Sequence, residues 1–166
     1  MIQRIQSLFL LGVVVTMVSF CFTDIWVKVN EETDDEIVFS PISLTVIKAS
    51  KSANQLANIN VSETSTVYIV ILSGIVCFLA ILSLFTFKKR VRQMKYGFLN
   101  AVFLVILLLL LYFHIDQADK ILPHPTYGDY KLGFFLPIIA LFFNIFANFF
   151  IKRDEDAVRS ANRFRS

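Results

Sequence analysis

The chain has 166 residues, of which 56% are hydrophobic and only 17% charged, with a net charge of +3. Soluble domains sit near half apolar with about a quarter of their residues charged, and they interleave the two kinds. Here the apolar residues are gathered into long unbroken runs, which excludes a soluble globular domain, a disordered chain and a collagen-like one.

The first run covers residues 7–22 (SLFLLGVVVTMVSFCF) behind Arg4 and extends to Trp26 at an interface. A short apolar run behind a basic residue is also the form of a signal peptide. Residues 19–24 (SFCFTD) offer no small-x-small cleavage site, and bulky Phe20 before Cys21 argues against a lipoprotein, so a retained helix over about 7–26 is expected.

The loop over residues 24–66 follows. Ile25, Val27 and Val29 alternate within DIWVKVN (24–30), and Ile42, Leu44 and Val46 alternate with Ser43 and Thr45 within IVFSPISLTVI (37–47). That period of two predicts two strands, with a turn in the acidic stretch EETDDE (31–36). Pro41 falls at an edge or a bend. A lone hairpin is marginal in water, so these strands need the membrane surface or another protein to lie on. Residues 49–66, rich in Ser, Asn and Thr, read as a linker.

The second run, 67–87, has no charge, and the connection after it, 88–97, has five basic residues and no acid. The third run spans 98–115 and the fourth 133–151, with a turn-rich loop between them containing PHPTYG (123–128). Pro137 sits one turn into the fourth run. In the tail, 152–166, Ala157, Val158, Ala161 and Phe164 share one side and Glu155 pairs with Arg159 at i, i+4. The fourth helix is therefore expected to run on into a cytoplasmic helical tail against the headgroups.

A helix crosses the roughly 30 Å hydrocarbon core with about 17–25 residues, so all four runs qualify, the first only just. Barrel strands would alternate in polarity, and these runs are apolar all round. The expected fold class is an all-α membrane protein: a four-transmembrane-helix bundle with a small extracytoplasmic loop carrying a β-hairpin. Lys and Arg divide 11 to 5 between the two sides, which places both termini in the cytoplasm. The basic cytoplasmic face consists of Lys88, Lys89, Arg90, Arg92, Lys95, Arg159, Arg163 and Arg165, and it suits anionic lipid headgroups rather than nucleic acid. Asp154, Glu155 and Asp156 at the base of the tail are expected to pair with the basic connection.

At its two ends the sequence resembles a known family. Met1-Ile2-Gln3-Arg4-Ile5-Gln6 leads straight into an apolar helix. The tail reads Lys152-Arg153-Asp154-Glu155-Asp156-Ala157-Val158-Arg159-Ser160-Ala161-Asn162-Arg163-Phe164-Arg165. Both are similar to the opening and closing patterns of a small bacterial membrane-protein family known as domain of unknown function 4293. Asn162 and Phe164 depart from it, standing where Asp and Leu are expected. The resemblance implies an inner-membrane protein of a Gram-negative bacterium and supplies no activity.

Little in the sequence carries chemistry. No ionisable residue lies in the middle of a run, whereas ion- and proton-coupled transporters keep such residues facing the bundle interior. Asn144 and Asn148, four apart, share one face of the fourth helix; they hydrogen-bond to neighbouring helices or, alternatively, line a site. Ser73, Gly74 and Cys77 form a small-residue face on the second helix, a signal for helix contact. Cys21 and Cys77 lie in apolar runs without metal or disulfide spacing and read as small buried hydrophobes. His114, Asp116, Asp119 and His124 are the candidate metal ligands, zinc being the metal they would suit, with a spacing diagnostic of none. The acidic stretch 31–36 lacks the ligand spacing of a calcium loop. No nucleophile elbow, P-loop, HExxH or dinucleotide pattern occurs.

No cofactor and no catalysis are therefore expected. The sequence best fits a non-catalytic accessory or structural subunit of a larger membrane assembly, with a membrane-protein partner or a second copy of itself. A small transporter, channel or lipid-handling protein is the alternative. A membrane-embedded enzyme using His114, Asp116 and His124 is the third reading.

Overall fold

The computed structural model describes residues 2–30, 35–49, 59–87, 89–121 and 128–163. Four helices and five strands alternate along the chain as α1 (Ile2–Phe20), β1 (Trp26–Asn30), β2 (Asp35–Phe39), β3 (Ser43–Ala49), β4 (Ile59–Ser65), α2 (Val67–Phe85), α3 (Arg90–Ile121), β5 (Asp129–Tyr130) and α4 (Leu132–Arg163).

The expectation of an all-α four-transmembrane-helix bundle is overturned by a five-stranded antiparallel sheet in the order β4-β3-β2-β1-β5. The hairpin read from the sequence is only part of it. Asp35 and Glu36, assigned to the acidic turn, begin a strand of their own, and residues 40–42 turn the chain into β3. β4 lies in the stretch read as a linker. It is an edge strand with exposed residues on both faces, so hydrophobic alternation is missing and a run of Ser, Thr and Asn conceals it. β5 comes from the other loop, about a hundred residues after β1.

One face of the sheet is buried. Trp26, Lys28, Ile37, Phe39, Leu44 and Val46 lie on it in register, Trp26 opposite Phe39 and Phe39 opposite Leu44. The end of α3 helps to cover this face: Lys28 reaches Asp119, and the Phe39 ring stacks on His114. The marginal stability of a hairpin is thus answered by three more strands and a helix end.

Helix bounds also move. α1 stops at Phe20, six residues short of the expected end, and Trp26 belongs to a strand. α3 outruns its apolar stretch at both ends, and α4 continues unbroken into the tail as far as Arg163. Three helical stretches, Val67–Phe85, Arg90–Ile121 and Leu132–Val158, are long and apolar enough to cross a membrane. The apolar part of α1, Ile5–Phe20, is shorter.

α1 and α3 each pack against both α2 and α4. The inward faces follow helical spacing: Leu10, Val13, Met17 and Phe20 on α1; Leu104, Leu107, Leu111 and Ile115 on α3; Leu136, Ala140, Ala147 and Ile151 on α4. Leu8, Phe78, Leu109, Phe142 and Phe149 point outward and are exposed, an arrangement that water penalises and lipid accepts. α1 runs antiparallel along α4, with Phe9 stacked on Phe150 at 5.5 Å and Phe143 lying against Gly12. At the sheet end the Asp24 carbonyl accepts the Gly133 N–H, and the Ile25 carbonyl accepts that of Lys131.

Candidate functional site

Three places bring the polar residues together, and the first is the seam between α3 and α4. Gln93, Gly97 and Asn100 recur at the helical spacing that faces α4, and all three are buried. Gly97 has no side chain to shield its carbonyl, so Asn144 Nδ2 reaches it and donates at 2.9 Å. Asn144 Oδ1 in turn accepts from Asn100 Nδ2 at 3.2 Å. Asn148 fills the space that Gly97 leaves, since a Cβ on residue 97 would fall inside its carboxamide. The Asn148 side chain makes no hydrogen bond among the described residues. Its Oδ1, with Asn100 Oδ1 and Gln93 Oε1, is a buried acceptor without a partner there. Gln6 Nε2 donates to the Phe150 carbonyl from α1, and Ser83 Oγ to the Gln93 carbonyl from α2.

The small-residue face of α2 divides. Ser73 is buried and meets Cys21 Sγ at 3.2 Å, and half-buried Cys77 packs against the core, but a Cβ on Gly74 would meet open space. Both cysteines are free thiols.

The second place is the sheet end of α3. His114 Nδ1 contacts the Leu110 carbonyl at 2.8 Å, and Nε2 hydrogen-bonds to the Tyr68 hydroxyl. Asp116 pairs with Lys120 at 2.6 Å, while Asp119 accepts from Lys28 Nζ at 2.7 Å. Residues two apart on a helix do not share a face, so His114 and Asp116 diverge. Among the described residues no three potential ligands converge on one point; His124 lies outside them. Beside Asp116 and Asp119 is a shallow pocket of about 230 Å³, walled by Trp26, Tyr112 and Tyr130. Gly128 passes so close over the Trp26 indole that any side chain there would overlap it.

The third place is the opposite end, where the start of α3 meets the distal part of α4. A groove of about 670 Å³ opens there, lined by Lys89, Arg90, Arg92 and Lys95. Arg90 Nη2 lies 3.0 Å from Asp154 Oδ2 in an ion pair, and Arg90 Nη1 donates to the Asp154 carbonyl at 3.4 Å. The pairing expected of the acidic triplet is thus made by Asp154. Lys88 and Arg165 lie outside the described residues, as do the side chains of Arg159 and Arg163.

Several residues at these places escaped the sequence reading. Asn100, Gln93 and Gln6 each stand in or beside an apolar run, and the signal was there to find: 93, 97, 100 and 104 form one inward stripe. Lys28 had no such signal, because a lysine in an alternating strand reads as its solvent side.

Residues 2–164 match the family model described as Domain of unknown function (DUF4293), and the chain belongs to that family. No curated protein matches it.

Proposed function

We propose that this family member is a multi-pass inner-membrane protein serving as a non-catalytic accessory or structural subunit of a larger membrane assembly. The observation that carries the reading is how the polar side chains are used. Asn144 is committed to Asn100 and Gly97, His114 to Tyr68 and Leu110, and Asp119 to Lys28. These contacts hold elements together, as interhelical amides do in membranes. A transport path would instead turn such groups toward a water-filled cavity.

In this reading both termini are cytoplasmic. The basic groove and the sheet lie at opposite ends of α3, which agrees with the 11-to-5 division of Lys and Arg. From Gln6 on α1, at Phe150, to Asp24 beyond its end, at Gly133, the chain accompanies α4, so the short apolar part of α1 crosses with that longer neighbour.

Two experiments test the proposal. In a chain carrying Cys21→Ala and Cys77→Ala, Ser160→Cys should be labelled only from the cytoplasmic side and Glu63→Cys only from the other; the reverse pattern sinks the topology. Purification in mild detergent should retain a partner or a second copy in fixed stoichiometry. A monomer that moves a solute across liposomes would establish the transporter reading instead.

A further inference from the structure

We infer that the groove at the start of α3 is a binding site for the headgroup of an anionic phospholipid, a deepening that rests on the membrane reading above. The groove holds four cations, but they are not equivalent. Arg90 is tied to Asp154 through both its side chain and its backbone carbonyl, which fixes the first turn of α3 against α4 and shapes one wall. Lys89, Arg92 and Lys95 are exposed, and among the described residues none of them has an ion pair. Glu155 is the one carboxylate on the lining besides these cations, and it is itself engaged in an interaction.

The three unpaired cations follow one another at intervals of three, so they climb about 9 Å along the helix axis. They sit where the apolar part of α3 begins, the level at which a bilayer places its phosphates. The backbone adds to the field: the first N–H groups of α3 carry the positive end of a 32-residue helix.

The apolar part of the lining selects a lipid over a free anion. Phe87, Val91 and Val158 line the same groove and are exposed. A phosphate ion has nothing to place against them. A diacylglycerol phosphate has the glycerol and the upper acyl chains, which continue down the outward faces of α2 and α3. Basic pockets between helices on the cytoplasmic side take anionic headgroups on these grounds.

The test titrates the full chain in neutral detergent with short-chain phosphatidylglycerol, with phosphatidylcholine and with inorganic phosphate, following thermal unfolding. Phosphatidylglycerol should raise the midpoint well beyond phosphatidylcholine. Lys89→Gln, Arg92→Gln and Lys95→Gln combined should weaken its apparent affinity on the order of a hundredfold, while the lipid-free midpoint stays near that of the parent. Equal shifts with both lipids, or an undiminished response in the triple variant, overturn the site. An equal shift with inorganic phosphate overturns the lipid assignment. Carbonate washing of membranes separates this from the parent reading: a wild-type chain released by carbonate refutes membrane insertion, whereas a retained chain indifferent to lipid charge refutes the groove alone.

Discussion

Lys28 on β1 donates to Asp119 at the end of α3 across 2.7 Å, with 2% of the lysine side chain exposed against 55% of the aspartate. One charge of the pair is out of solvent and its partner is not, so the two ends are unequal under mutation. Asp119→Ala strands a buried ammonium and is expected to cost about 1–3 kcal/mol, below the range for a fully buried pair because water reaches the site. Lys28→Met removes the charge together with its need and should cost less than about 1 kcal/mol. Chemical unfolding in detergent, followed through the single Trp26, compares them; equal losses would contradict the asymmetry.

The two asparagines of α4 should separate in the same way. Asn144→Leu deletes two interhelical hydrogen bonds, worth about 0.6–1.7 kcal/mol each, and orphans Asn100. Asn148→Ala removes an acceptor that has no partner among the described residues and leaves a small void, so its net effect should stay within about 1 kcal/mol. Thermal midpoints of the two single variants decide the matter, with Asn144→Leu expected to be clearly the lower.

Gly97 and Asn148 should be coupled. Gly97→Ala pushes a methyl into the Asn148 carboxamide and is expected to cost about 1–3 kcal/mol through overpacking. Gly97→Ala in an Asn148→Ala background should recover most of that loss. A double-mutant cycle reads the coupling directly, and a cycle that closes with no interaction energy would mean that the helices separate freely at this point.

Arg90 and Asp154 are both mostly buried, with side chains 21% and 14% exposed. Arg90→Glu faces like with like and should loosen the distal part of α4 from α3, speeding amide exchange there. Arg90→Glu with Asp154→Arg should restore a good part of the protection. If exchange in α4 past Asp154 ignores both changes, the pair does not anchor that segment.

How much of this was readable from the sequence depends on which physical signal each element rests on. α2 and the apolar parts of α3 and α4 were plain, because a run such as 67–87 needs only bulk hydropathy to be recognised. Asn144 stands out in the sequence as an amide among phenylalanines, and its side chain bonds to Asn100 and Gly97. The sheet was legible only in part, through the alternating stretches 24–30 and 37–47. β2 starts within an acidic cluster at Asp35 and Glu36, β4 (INVSETS) is mostly polar, and β5 is two residues long. Such strands are defined by their hydrogen-bonded neighbours rather than by any pattern of their own. Of the metal candidates, His114, Asp116 and Asp119 each meet a different partner, Tyr68, Lys120 and Lys28, on three separate stretches of chain, and His124 lies outside the described residues.

The position of β5 has a consequence for how the molecule is made. Trp26 is paired with Tyr130, and the Asp24 carbonyl waits for the Gly133 N–H. During synthesis the first four strands emerge together and can associate at once, since each follows the last within ten residues. The outer edge of β1 is different: its partner is still about a hundred residues away, beyond α2 and α3. Contacts of such sequence separation form late, and until then the edge presents unpaired amides to any passing strand. The arrival of β5, just ahead of α4, is therefore what completes the sheet. An intermediate halted before it would leave Trp26 and Val27 without their partners on β5, and so the sheet one strand short.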